Sequence, residues 1–69
     1  MVYYEGIDWD ADTVFNGEVN AGFNDAVRTV KRAIKFTGVK CRREMWGNTI
    51  VLFPPKDIGG IAMILIHTK

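Results

Sequence analysis

Side chains that bind metals or act as nucleophiles are scarce in this sequence. Its 69 residues include one cysteine, Cys41, and one histidine, His67. One thiol cannot form an intramolecular disulfide, and one thiol with one imidazole falls short of the four ligands of a structural zinc site. Glycine-rich phosphate-binding loops of the Walker and dinucleotide types are also missing. The sequence therefore predicts no metal, no cofactor, no small-molecule substrate and no catalytic activity.

Long apolar runs are missing as well. The longest covers residues 61–66, whereas a helix that spans a membrane needs about 20 apolar residues. The first residues show no basic segment followed by an apolar run, which is the pattern of a secretory signal. A free cysteine without such a signal is typical of a reducing compartment. We therefore expect a cytoplasmic protein that has no membrane partner.

Positive charge is absent from the first 25 residues. This segment contains six acidic residues and no Lys or Arg, which gives −6, whereas residues 26–69 carry nine Lys or Arg against two acids, which gives +7. The sum is the net +1 of the whole chain. The acidic segment either folds back onto the basic body or forms a separate surface for a charged protein partner. Its candidate contact residues are Asp8, Asp10 and Asp12.

Helical periodicity extends over one long segment, residues 21–37. At 100° per residue its large apolar side chains fall on one side of a helical wheel: Phe23, Val27, Val30 and Ile34. Asn20 is a suitable N-cap residue, because its side-chain oxygen can accept an N–H of the first turn. Gly38 is a suitable stop, since glycine readily adopts the left-handed conformation after a helix. We predict an amphipathic helix that packs on a sheet.

The opposite side of this helix is basic. It carries Arg28, Lys31, Arg32 and Lys35, and Lys40 and Arg42 follow shortly after. Such a stripe either contacts the phosphates of a nucleic acid or is an ordinary solvated helix face, and the second case is the more common. These six residues are the candidates for nucleic-acid binding.

The segment before the helix is predicted to be a strand and a connector. Residues 2–9 alternate in polarity and read as a strand, with a bend or bulge at Gly6. Residues 13–19 are predicted to be a connector, because Asn16-Gly17 is a turn signal.

A hairpin is predicted around Gly47-Asn48, which separates two β-prone runs. A two-residue loop pairs Trp46 with Thr49 and fixes the rest of the register: Met45 with Ile50, Glu44 with Val51, Arg43 with Leu52, and Arg42 with Phe53. One face, with Val39, Cys41, Met45, Ile50 and Leu52, is the candidate to meet the helix. The other face holds Trp46, Val51 and Phe53 among charged residues.

Residues 61–67 form the last predicted strand, after a turn at residues 56–60. The strand is apolar on both faces, and such strands are usually central and covered on both sides. Since one helix covers one face, the second face requires the N-terminal segment, a second copy of the chain or another protein.

These elements predict an α+β protein with one small two-layer domain over residues 1–69. The predicted order is β-α-β-β-β, with the helix packed on an antiparallel sheet. Its parts are the acidic strand and connector 1–20, the helix 21–37, the hairpin 39–54 and the last strand 61–67.

The predicted function is a non-catalytic protein-interaction module. We expect a homodimer that regulates or inhibits a larger partner, such as a nucleic-acid enzyme from a mobile element. The interface candidates are the apolar residues of the second sheet face, with the three aspartates named above: Trp46, Val51, Phe53, Ile64 and Ile66. The alternative is a small nucleic-acid-binding protein that uses the basic helix face and the adjoining strand.

Overall fold

The structure, a computed structural model, describes residues 1–56 and 59–68. In chain order it contains β1 (Val2–Asp8), β2 (Thr13–Val19), α1 (Phe23–Ala33), β3 (Arg42–Trp46), β4 (Thr49–Phe53) and β5 (Ile61–Thr68). The strands form one antiparallel sheet in the order β2-β1-β5-β4-β3. α1 packs on one face of this sheet. The predicted class, a single two-layer α+β domain with a helix on an antiparallel sheet, is confirmed.

β2 occupies the segment that the sequence predicts to be a connector, and that prediction is wrong. It pairs with β1 as a hairpin, with the register shifting next to Gly6, where a bend or bulge is predicted. The glycines make room for aromatic rings that lie across this hairpin. A Cβ added at Gly6 would lie 2.3 Å from the Phe15 ring, and one at Gly17 would lie 2.5 Å from the Tyr4 hydroxyl oxygen. Gly17 therefore permits close packing inside a strand instead of forming a turn.

The turn of this hairpin is built by aspartates. The Asp8 carboxylate oxygen Oδ1 accepts the backbone N–H groups of Asp10 and Asp12, both at 2.9 Å. The Asp8 N–H donates to the Asp12 carbonyl oxygen at 3.0 Å, and Ala11 has a φ of 66°. An Asp side chain that bonds to the backbone two residues on replaces part of a turn. The acidic segment therefore closes the β1–β2 hairpin.

α1 is shorter than the predicted helix 21–37 at both ends. Gly22, not Asn20, is the N-cap residue, and no side-chain cap bond is made. At the other end, Lys35 adopts the left-handed conformation, with a φ of 63°. The N–H groups of Lys35 and Phe36 donate to the carbonyls of Arg32 and Lys31, which is the Schellman pattern of a helix end. The helix thus ends at the left-handed Lys35, before Gly38, and the following Phe36 packs against the core.

The predicted register of the β3–β4 hairpin is confirmed at all five pairs. Gly47 has a φ of 62° and Asn48 does not have a positive φ, as in a type II′ turn. β3 begins at Arg42, later than the predicted residue 39. Arg42 pairs with Phe53, so the residue before it would face Pro54, which has no N–H to donate. The predicted turn at 56–60 includes Asp57 and Ile58, which lie outside the described residues.

The core lies between α1 and the sheet. Ala26 and Val30 of α1 are fully buried against apolar residues of three strands: Val2, Ile50, Leu52, Ile61, Ile64 and Ile66. Full burial of each large side chain is worth roughly 1.5–3 kcal/mol before entropy is subtracted. Within the described part of the chain, no helix is long and apolar enough to cross a membrane.

Candidate functional site

The two faces of the sheet differ in what lies on them. The face against α1 is called the covered face. Ile64 and Ile66 belong to it, because they pair with the core residues Leu52 and Ile50, and their exposure is 0%. The prediction that Ile64 and Ile66 are interface residues is therefore wrong.

The opposite face, which we call the open face, has no covering element among residues 1–56 and 59–68. Strand pairing places alternate residues of each strand on it: Asn16 and Glu18 from β2; Tyr3, Glu5 and Ile7 from β1; Met63, Leu65 and His67 from β5; Thr49, Val51 and Phe53 from β4; and Arg42, Glu44 and Trp46 from β3. Its central apolar residues are mostly half-buried. The N-terminal segment does not cover this face, because it forms strands of the same sheet.

An aromatic cluster lies on the β3–β4 side of the open face. The Trp46 and Phe53 rings are 6.0 Å apart, and the Arg42 guanidinium lies 4.5 Å from the centre of the Phe53 ring. Glu44 joins the cluster, because its carboxylate accepts the Trp46 indole N–H at 3.1 Å and pairs with Arg42 at 2.9 Å. Val51 lies between these side chains in the register and is 0% exposed. A partner can therefore touch Trp46 and Phe53, whereas Val51, a predicted interface residue, is already covered.

An apolar recess of about 400 Å³ lies beside this cluster. It is lined by residues of the end of β1, the β1–β2 turn, the start of β3, the end of β4 and the start of β5: Ile7, Asp8, Trp9, Ala11, Arg42, Phe53, Ala62 and Met63. The Trp9 side chain is 60% exposed. Trp9, Met63 and Leu65 are not among the interface residues predicted from the sequence. An exposed Trp in a turn is the available signal for Trp9, since large aromatics are uncommon there without a contact to make.

The β1–β2 side of the open face is acidic. Glu5, Glu18, Tyr3 and His67 line a second recess, of about 470 Å³. The Tyr3 and His67 rings stack with centroids 5.8 Å apart, and the Glu5 carboxylate accepts the Thr13 hydroxyl at 2.9 Å. Of the predicted acidic contacts, Asp10 and Asp12 are exposed in the turn. The Asp8 carboxylate is engaged by the turn backbone.

The predicted nucleic-acid residues do not form one surface. Arg28 pairs with Asp25 at 3.1 Å, and the Lys31 ammonium donates to the Val39 carbonyl at 2.6 Å. Arg32, Lys35 and Lys40 are exposed. Arg42 lies on the open face, on the other side of the sheet from α1. The sheet therefore separates Arg42 from the basic side of the helix.

Cys41 and His67 lie on different faces. Cys41 packs against the core under α1, whereas His67 stacks on Tyr3 of the open face. Burial raises the pKa of the Cys41 thiol, and the nearby Lys31 cation opposes that shift. The two side chains do not form a thiolate–imidazole pair, and no group of three potential metal ligands occurs in the described residues.

The open face therefore combines three zones. Acidic groups lie on its β1–β2 side, apolar groups along its centre, and an aromatic cluster with Arg42 on its β3 side. Comparisons of the chain with protein-family models, curated proteins and solved structures find no match.

Proposed function

We propose that this chain is a non-catalytic, cytoplasmic protein-interaction module that regulates or inhibits a larger protein through its open face. One observation supports this most directly. The open face has an apolar centre and exposed aromatic rings, and no described residue covers it. A single sheet with one bare apolar face is an aggregation hazard unless a partner occupies that face.

The residue types of the open face are those of interface centres. Trp, Phe, Met and Arg are enriched in the buried middle of protein–protein contacts, and charged residues form the rim. Trp46, Phe53 and Met63 lie on the open face, and Arg42 is held against the Phe53 ring. Arg42 is thereby oriented before a partner arrives, which lowers the entropy cost of binding.

The acidic β1–β2 side suits a partner with a basic surface. A turn with two exposed aspartates beside an apolar recess can steer such a partner during encounter. Enzymes that act on nucleic acids have basic surfaces of this kind. We therefore propose a nucleic-acid enzyme, such as one encoded by a mobile element, as the class of larger partner.

Site-specific photo-crosslinking in native cells tests this proposal. A photoreactive residue at position 53 of the open face is expected to link the chain to a larger protein, whereas one at the exposed helix position 32 is not. Trp46→Asp, in the same aromatic cluster, is expected to abolish the link from position 53 with α1 still folded. Ile64→Asp is the matched control, because it places the same charge in the core and is expected to unfold the chain. Links from position 32 alone, or none from either position, would overturn the proposal.

Nucleic-acid binding is the second candidate, supported by the exposure of Arg32, Lys35 and Lys40. Labelled DNA and RNA are titrated at about 50 and 200 mM salt, between which an interface with many phosphate contacts loses roughly 10³–10⁵ in affinity. The double substitution Arg28→Ala and Arg32→Ala is expected to weaken binding and to flatten the salt dependence. Unchanged affinity would remove the helix from the site.

A further inference from the structure

The two sides of the sheet carry opposite charge. Residues 2–19, which form β1, β2 and their turn, contain five acids and no base, a charge of −5. Residues 40–46, which form β3 and the approach to it, contain three bases and one acid, a charge of +2. β2 and β3 are the two edge strands of the sheet. Of these groups the open face carries Glu5 and Glu18 on its β1–β2 side and the Arg42–Glu44 pair on its β3 side. It therefore runs from an acidic edge across an apolar centre to an edge without net charge.

We infer that this face binds the open face of a second copy of the chain, in a twofold dimer whose axis runs along β5. The inference rests on the proposed function, because it names an occupant for the same surface. Two sheets that pack face to face lie about 10 Å apart with their strands within about 30° of each other. Each α1 then lies on the outside of a four-layer assembly. A larger protein partner binds in competition with the second copy.

The strand order selects this axis. β5 is the middle strand of the order β2-β1-β5-β4-β3. A twofold axis along β5 places β2 of one copy over β3 of the other and β1 over β4, so the acidic side of each copy meets the side of its partner that carries Arg42. A twofold axis across the strands places β2 over β2, so two acidic sides meet. Like charges across an interface are unfavourable, which leaves the first arrangement.

The apolar residues also match in this arrangement. Met63 and Leu65 lie on the middle strand and meet their own counterparts near the axis. Ile7 and Phe53 flank Met63 in the same cross-strand row, since Ile7 pairs with Met63 and all three line the same recess. The rotation places Ile7 of one copy over Phe53 of the other. An unbroken apolar strip therefore lies between two charged rims.

The size of the open face is sufficient for a specific contact. Five strands spaced by about 4.8 Å cover about 24 Å, and three residues of one face per strand cover about 20 Å, or about 480 Å² in projection. Protruding side chains make the accessible area larger. Two such faces together bury about 1,000 Å² or more, where specific interfaces begin.

The first experiment measures the molar mass of the purified chain by sedimentation from low to high micromolar concentration. The monomer has a mass of 7.8 kDa, and we expect a species of twice that mass. Leu65→Asp is expected to raise the dimer dissociation constant by about 30-fold or more, the effect of losing a hot-spot residue. Ala33→Asp, at an exposed position of α1 on the other side of the sheet, is the matched control and is expected to leave it nearly unchanged. Circular dichroism checks that both variants are folded, and Met63→Glu is the second face variant.

The second experiment identifies the axis by cross-linking with a short bismaleimide. Cys41 is the one cysteine of the sequence, so Cys41→Ala provides a background in which an introduced thiol is unique. Met63→Cys is expected to link to its own copy across the axis. Asn16→Cys is not, because the rotation moves its copy about 19 Å away, to the opposite edge of the sheet. Efficient linking through Asn16→Cys, without linking through Met63→Cys, would indicate the axis across the strands and overturn this arrangement.

The outcomes separate this inference from the proposed function. A wild-type chain that remains monomeric at every concentration overturns the dimer, yet links from position 53 to a larger protein would still support the interaction module. A dimer that survives both Leu65→Asp and Met63→Glu uses another surface, which also overturns the inference. Conversely, a dimer with the expected cross-links and no link to a larger protein would leave the inference standing and remove the regulatory partner.

Discussion

Between residues 61 and 66 both faces of the β5 strand are apolar, yet their surroundings differ. Ile64 and Ile66 are fully buried under α1, whereas Met63 and Leu65, which alternate with them, are half-buried on the open face. The difference comes from what lies above each face and not from the residue types. Apolar character therefore identifies surfaces that need a cover, and the fold decides which of them the chain covers itself.

The largest expected difference between the faces is in stability. Ile64→Ala leaves a cavity in the core and is expected to lower the free energy of unfolding by about 2–5 kcal/mol. Met63→Ala removes a half-buried side chain and is expected to cost less than about 1.5 kcal/mol in the monomer. Urea unfolding at low protein concentration, where the monomer predominates, measures both. Equal losses would contradict the distinction between a covered and an open face.

The aromatic cluster makes one part of the open face behave like core. Val51 is 0% exposed beneath Trp46 and Phe53, so Val51→Ala is expected to cost about 1.5–3 kcal/mol, from two lost methyl groups and the cavity they leave. Val14 is half exposed, at 50%, on the edge strand β2, and Val14→Ala is expected to change stability by less than about 0.5 kcal/mol. If both valines gave the small value in urea unfolding, Val51 would have to be accessible to a partner.

A substitution at the C-terminal end of α1, on the covered side of the sheet, is expected to stabilise the protein. Lys35→Gly is expected to raise the free energy of unfolding by about 0.5–1 kcal/mol, because a residue with a side chain costs about 1–2 kcal/mol in the left-handed conformation. Part of this gain is cancelled, since glycine raises the conformational entropy of the unfolded chain. Arg32→Gly, inside the helix, is the matched control and is expected to lower it by about 0.5–1 kcal/mol. Thermal unfolding of the two variants shows whether each substitution raises or lowers the stability. A loss at position 35 would show that the Lys35 side chain contributes more than the strain costs.

The smallest effect concerns the Cys41 thiol on the covered side. Its pKa lies above the ordinary value because burial disfavours the thiolate. The folded state therefore holds this proton more tightly. The stability that it adds is fully present below the pKa of the unfolded thiol and is lost as the pH rises through the folded pKa. We expect the free energy of unfolding to fall slightly as the pH rises through the alkaline range. In Cys41→Ala this contribution to the fall is expected to be missing.

Alkylation of the thiol tests the cause of that shift. Lys31 opposes the effect of burial, so Lys31→Gln is expected to move the pH midpoint of alkylation upward and to slow the reaction at a fixed pH. Arg32→Gln, on the exposed side of α1, is the control and is expected to have little effect. A wild-type midpoint at or below that of an unstructured peptide would contradict the raised pKa.

The β3–β4 hairpin was predictable because its signal is local. A two-residue loop beginning with glycine determines which residues face each other, and one correct pair then determines the other four. Gly47 has the positive φ that this loop requires. The sequence therefore sufficed for the register and for the placement of Trp46 and Phe53 on one face.

β2 was not predictable from the same kind of signal. Asn16-Gly17 has the composition of a turn, yet Gly17 lies in a strand because the Tyr4 side chain occupies the space a Cβ would need. The real turn contains no glycine or proline and depends on hydrogen bonds to the Asp8 carboxylate. Tertiary packing outweighed local propensity at Gly17, whereas local hydrogen bonds from a side chain to the backbone built the turn.

The local sequence also does not show which residues of β5 point toward the helix. Its sequence is apolar at every position from residue 61 to 66, so no alternation shows which residues point to the helix. Pairing with β4 decides this, because Ile50 and Leu52 already belong to the core and their partners share their face. The Trp9 recess has no sequence pattern, since it forms only where the β1–β2 turn meets β4 and β5.

The central place of β5 has a consequence for how the protein is made. β5 follows every other strand in the chain, yet it pairs with both β1 and β4 and holds the two hairpins together. A growing polypeptide can form each hairpin early, since each closes a short loop, but the pieces cannot join until β5 has left the ribosome. Until then Ile50 and Leu52 of β4 lack their partners. The apolar side chains of both hairpins stay exposed during this interval, which makes the incomplete chain prone to aggregation.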